Sequence, residues 1–180
     1  EQFVKEYLSQ KTFFYNATDA TKIPLREKAV KKEKVKKVKR KAGRPKKGEA
    51  REAIKPKILE QQKEMQTVEE MLCLVSTECG VGIKQNSKGN KEVWIGGKLH
   101  ISAVDGDIPI IAFYSGANVH DSSVSLPLIQ ETSKRVNYLY DLQDAGYDAD
   151  IIREFSTALG HRPIIDTNPK NSKEFKAKIE

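Results

Sequence analysis

The stretch YLYDLQDAGYDAD, residues 138–150, sets Asp141, Asp144, Asp148 and Asp150 at the end of an apolar, β-prone run. Carboxylates this close repel one another. They persist where they cap a helix, face water or hold a cation, and residue types alone leave the three uses open. Asp148 and Asp150 are expected at a helix start, where acids complement the helix dipole. Asp141 is expected as a solvated or edge residue. Asp144 stands where a strand ends, as a cap for the helix that follows or as a cation ligand.

The second chemical group is basic. Residues 28–47, KAVKKEKVKKVKRKAGRPKK, carry twelve Lys/Arg and one Glu, a net of +11, so the other residues sum to −4 within the total of +7. Such a block repels itself and buries no apolar surface, so alone it is expected to be disordered. It reads either as a solvated linker or as a nucleic-acid contact, because Lys/Arg runs displace counterions from phosphates. Within it, KAGRPKKG resembles an AT-hook, with Ala42 where that motif carries Arg. Gly43 permits close backbone approach, Pro45 favours an extended path, and Arg44 suits a narrow A·T minor groove. The candidate DNA contacts are Lys36, Lys37, Lys39, Arg40, Lys41, Gly43, Arg44, Pro45, Lys46 and Lys47.

The bounds are simple. A chain of 180 residues, 38% apolar and 32% charged, is long enough for one domain with a core and a very polar attachment. No apolar run of about 18 residues marks a membrane span, and EQFVKEYLSQ is not a signal peptide. It lacks an initiator Met, so the expectation is a chain that begins partway through a larger protein. Cys73 and Cys79 make neither a disulfide framework nor a zinc site and read as reduced thiols in a cytoplasmic protein.

The elements that must position these groups follow from pattern. KTFFYNATDATKI, 11–23, reads as a strand ending near Asp19 to Thr21. Thr67 and Glu70 fit a capping box opening a short helix. GVGIKQNSKGNKE reads as a Gly/Asn-rich turn region. Residues 93–105 and 108–117 read as a hairpin turning at Asp105-Gly106-Asp107. Residues 125–136 are helical with Pro127 in the first turn, NYLYDLQ is a strand, and 148–160 is an amphipathic helix ended by Gly160. A last strand runs over 162–169 and another helix begins near Ser172. The expected organisation is 1–27 as the first-strand region, 28–66 as the basic insert, and 67–180 as the remainder of the same domain.

A hairpin followed by strand–helix–strand crossovers implies an α/β fold with a mixed sheet flanked by helices. That order resembles the ribonuclease-H-like fold. There the first strand carries one acid and the fourth strand delivers a second beside it, and a later helix brings a third. Such acids stay ionised together around divalent cations. A two-metal site about 3.5–4 Å across activates a water or 3′-hydroxyl and stabilises the leaving oxygen. Oxygen-only ligands point to Mg2+ or Mn2+.

Six stretches carry a closer resemblance: ATDATKIPLREKA, GRPKKGE, WIGGKLHISAVDGDIPI, NVHDSSVSLPLI, LYDLQDAGYDA and LGHRPIIDTNPK. In this order, from about residue 12 to about 175, they resemble DDE-superfamily insertion-sequence transposases of the family-four type. The resemblance implies Asp19 as the first catalytic, metal-ligating acid and Asp144 as the second. It also implies the lysine-rich insert, double-stranded DNA (transposon ends and target) as partner, and action as a homodimer or larger assembly. The location it implies is the bacterial cytoplasm, nucleoid-associated on DNA. The family's third acid is a Glu in a Tyr–Arg–Glu-type signature. Glu174 and Glu180 lack that context, and Gly80 stands where relatives are expected to carry an acid. The expectation is therefore a transposase fragment, weak or inactive as this chain. The rival readings are a ribonuclease-H-like nuclease and a non-catalytic DNA-binding remnant. Among the remaining residues, His120–Asp121 reads as a turn and helix cap, His100 as a packed or hydrogen-bonded histidine, and Trp94 and Phe113 as core. Lys98 reads as a candidate phosphate contact.

Overall fold

The computed structural model describes residues 8, 11–30, 56–85 and 89–168. The candidate DNA contacts from Lys36 to Lys47, most of the basic run, and the helix expected from Ser172 lie outside them.

Six strands form one mixed sheet. The central strand β1 (Thr12–Pro24) is the run TFFYNATDATKIP, whose aromatic and β-branched residues suit a pleated surface. Along the chain follow β2 (Gly80–Gln85), β3 (Lys91–Val104), β4 (Ile108–Gly116), β5 (Asn137–Gln143) and β6 (Arg162–Ile165). β1 pairs antiparallel with β3 and parallel with β5, and β5 pairs parallel with β6. The far edge of β3 is shared end to end by β2, over Lys91–Gly96, and β4, over Gly97–Val104. The β3–β4 hairpin turns where expected, with Gly106 and Asp107 both at positive φ. Asp105 does more than turn the chain: its carboxylate accepts the backbone N–H groups of Phe14 and Tyr15 and ties the hairpin to β1.

Two parts differ from the sequence reading. The Gly/Asn-rich region after Cys79 begins with β2, because Val81 and Ile83 alternate along it and pair with Ile95 and Val93 of β3. Gly82 is required there, since a Cβ would run into the Trp94 ring lying over it. The end of the expected 28–66 insert is also structured. Helix α1 (Ile58–Lys63) packs Leu59 against the core, and its buried Gln62 donates to the carbonyls of Met71 and Ser123. The insert therefore stops before Ile58.

Helix α2 (Val68–Cys73) opens on the expected capping box: Thr67 Oγ1 accepts the Glu70 N–H and the Glu70 carboxylate accepts the Thr67 N–H. α3 (Ser125–Arg135) packs on β3, β4 and β5 and against α2 and α4. α4 (Asp150–Ala158) places Ile152 in the core with Ile151 and Phe155 against it, while Leu159 is 41% exposed. Gly160, at φ 91°, ends the helix. The main core cluster joins Met71, Leu126, Ile129, Tyr147, Ile152 and Ile165. No helix among the described residues is long and apolar enough to cross a membrane.

Asp141 is not a solvated or edge residue. It is 1% exposed and accepts hydrogen bonds from Asn16 Nδ2, at 3.1 Å, and from Ser156 Oγ. Asn16 Oδ1 in turn accepts from Ser102 Oγ, which bonds Thr132 Oγ1 at 2.7 Å. One buried polar chain thus links α4, β5, β1, β3 and α3. β5 is an inner strand packed by α3 and reached by Ser156 of α4, so a side chain on this face has protein partners rather than water. Buried polar groups persist when bonded in this way.

Candidate active-site cleft at the strand ends

β5 ends at Gln143, opposite Thr18 of β1, while β1 continues to Pro24 paired only with β3. A notch opens where β5 leaves the sheet. Because β1 and β5 are parallel, the residues just beyond this register pair, Asp19 and Asp144, stand side by side at its mouth. Both line one cleft of about 480 Å³ together with Thr18, Gln143, Lys84 and Asp166. That volume lies within the usual range for small ligands, about 300–1,000 Å³, and crevices beyond the carboxyl ends of parallel strands are common ligand sites in α/β sheets.

Each acid uses one oxygen locally. Asp19 Oδ1 accepts the Ala20 N–H at 2.7 Å, and Asp144 Oδ1 accepts the Gly146 N–H at 2.8 Å, capping the short 3-10 turn Ala145–Tyr147. Asp144 is therefore a cap and a cleft residue at once. The second oxygen of each has no hydrogen-bond partner among the described residues. Thr18 also lines the cleft, but its Oγ1 is buried beneath the surface and has no partner.

The surroundings are strongly charged. Tyr147 is buried, and burial raises its phenol well above the ordinary value, with Asp121, Asp144 and Asp19 adding to the shift. Burial lowers His100 to about 4. Asp121 opposes that shift, Lys98 adds to it and Asp19 opposes it more weakly. The three aspartates thus share one neighbourhood. Lys98 lies within it but is not free to meet phosphate. Its side chain is 15% exposed, and its ammonium donates to Asp121 Oδ1 at 2.7 Å and to the Val119 carbonyl at 2.8 Å. A lysine inside the sheet's cover is held where its charge is paired. His120 caps as expected, its Nδ1 accepting the Ser122 N–H at 3.4 Å. His100 Nε2 bonds Ser115 Oγ at 2.8 Å, and its Nδ1 has no partner. Asp148 stands just before α4 rather than in it and pairs with Arg153, which also donates to the Ile165 carbonyl.

The donor set suits a hard, hydrated divalent cation held by two carboxylates, as Mg2+ is commonly held. It does not form a closed cage: among the described residues no group of three His, Cys, Asp or Glu side chains comes together closely enough to hold a metal. Thr18, Gln143, Lys84 and Asp166 escaped the sequence reading. Thr18 and Lys84 carry no motif beyond a neighbouring acid or a period-two alternation. Asp166 follows the apolar run PII as Asp144 follows its own strand, and that shared strand-end position was the available signal. No protein-family model matches this chain, and no curated protein and no solved structure matches it either.

Proposed function

We propose that the chain is the catalytic domain of a DDE-type DNA transposase, acting on double-stranded DNA as a homodimer with Mg2+ or Mn2+. The observation that carries this reading is that one cleft is lined by both Asp19, on β1 just past its last pairing with β5, and Asp144, just past the end of β5. The strand order supports it: a central first strand lies between an antiparallel hairpin and two parallel strands, in keeping with a ribonuclease-H-like domain.

In this reading Asp19 and Asp144 hold the cation through the oxygens left unbonded. The bound cation supplies Lewis-acid activation of a water or 3′-hydroxyl and stabilises the leaving oxygen. The Ser125–Gln143 bonds fix the strand end before Asp144, and the Lys98–Asp121 pair fixes the loop entering α3. The basic segment 28–47 supplies sequence-independent DNA affinity. Because no three carboxylates among the described residues come together to hold a metal, turnover is weak in this reading.

The test is a supercoiled plasmid incubated with Mn2+ and the 180-residue chain. Slow nicking and joined products that vanish in Asp19→Asn and Asp144→Asn support the reading. Nicking unchanged in both variants refutes it, and cleavage without joining moves the reading to a nuclease.

A further inference from the structure

We infer that Lys84 binds substrate: its ammonium takes a non-bridging phosphate oxygen of a nucleic-acid strand lying in the Asp19–Asp144 cleft. This rests on the proposed phosphoryl-transfer reading and adds to it a cation that the protein itself supplies.

The ribbon geometry comes first. β1 ends at Pro24, opposite Gly96, and β2 pairs with β3 from Gly96 outward to Lys91. The β2–β3 ribbon therefore extends past the end of the central strand as a two-stranded arm. Lys84 lies on this arm and still lines the cleft that holds Asp19 and Asp144.

Lys84 is also uncommitted. It is exposed and has no hydrogen bond or ion pair among the described residues. Two neighbouring lysines differ: Lys22 pairs with Glu92, and Lys98 pairs with Asp121. Holding an ammonium beside a cleft with three aspartates, yet paired with none, leaves its charge available to an anion.

Carboxylates alone repel a phosphodiester. A cation on the acid side and an ammonium on the arm give its non-bridging oxygens a partner on each side.

The probe is thymidine 3′,5′-bisphosphate, titrated by calorimetry into the full chain with and without Mn2+, alongside Mn2+ alone. With Mn2+, Lys84→Ala is expected to weaken nucleotide binding at least about fivefold, in line with loss of one charge-assisted contact. Lys84→Arg is expected to stay within about twofold of wild type, and Mn2+ uptake without nucleotide to be unchanged in both. Equal nucleotide affinity in wild type and Lys84→Ala overturns the inference and leaves the acid site standing if Mn2+ uptake persists. If the chain takes up no Mn2+, metal-free nucleotide binding that is lost in Lys84→Ala keeps the lysine's role while the metal reading falls. No nucleotide binding in any condition overturns the lysine's role, and no Mn2+ uptake in any condition overturns the metal reading.

Discussion

The buried imidazole of His100 makes the fold sensitive to mild acid. The ring is fully buried between β3 and its neighbours, with Nε2 on Ser115 Oγ and Nδ1 unpartnered. Burial holds it at about 4, against the ordinary 6.5, while Asp121 and Asp19 pull upward and Lys98 pulls downward. The folded state therefore keeps His100 neutral at pH values where the unfolded chain takes a proton. Between about 6.5 and 4 the unfolded state binds more protons, so stability falls as pH falls through that window. The loss from this residue is about 2 kcal/mol at pH 5 and about 3 kcal/mol when complete below pH 4. Urea unfolding of wild type and His100→Gln at pH 7.5 and pH 5 isolates the contribution, because the carboxylates titrate alike in both proteins. Wild type should lose about 2 kcal/mol more than the variant over this interval. An equal loss in the two proteins refutes the reasoning.

Asp141→Ala leaves Asn16 Nδ2 and Ser156 Oγ buried without an acceptor and should cost about 3 kcal/mol in urea unfolding; a loss below about 1 kcal/mol contradicts the network's role. Thr67→Ala removes the α2 cap and should cost about 1 kcal/mol, read as a shift in the urea midpoint. Gly96 adopts φ 150°, and a Cβ there would strike the Ile23 carbonyl, so Gly96→Ala should cost more than about 2 kcal/mol and loosen the β2–β3 arm. Amide exchange across Gly80–Gln85 reports that loosening.

Local rules made much of the sheet and helix layer legible. The strand NYLYDLQ, the Thr67–Glu70 capping box, the Asp105–Asp107 turn and the Gly160 helix end depend on neighbouring residues, so sequence pattern exposes them. β2 was not legible because Gly80 and Gly82 read as turn residues. Their purpose is tertiary: Gly82 makes room for Trp94, and a Cβ on Gly80 would meet Asn118. Asp141 misled for the same reason, since its partners Asn16 and Ser156 lie 125 and 15 residues away. Lys98 read as a phosphate contact because nothing near it in sequence shows that Asp121 pairs with it. Asp144 sat between a cap and a ligand in the sequence, and its geometry explains the ambiguity, one oxygen capping Gly146 while the residue lines the cleft.

The most direct test of the account is iron-directed cleavage of the chain itself. Fe2+ substituted at a Mg2+ site generates hydroxyl radicals on addition of ascorbate and peroxide, and these cut the backbone beside the bound ion. Fragment masses from the full chain should place the cuts near Asp19 and Asp144. The cuts should fade with added Mg2+ or Mn2+ and disappear in Asp19→Asn. Cuts located elsewhere, or an identical pattern in Asp19→Asn, would show that these two acids do not hold a cation.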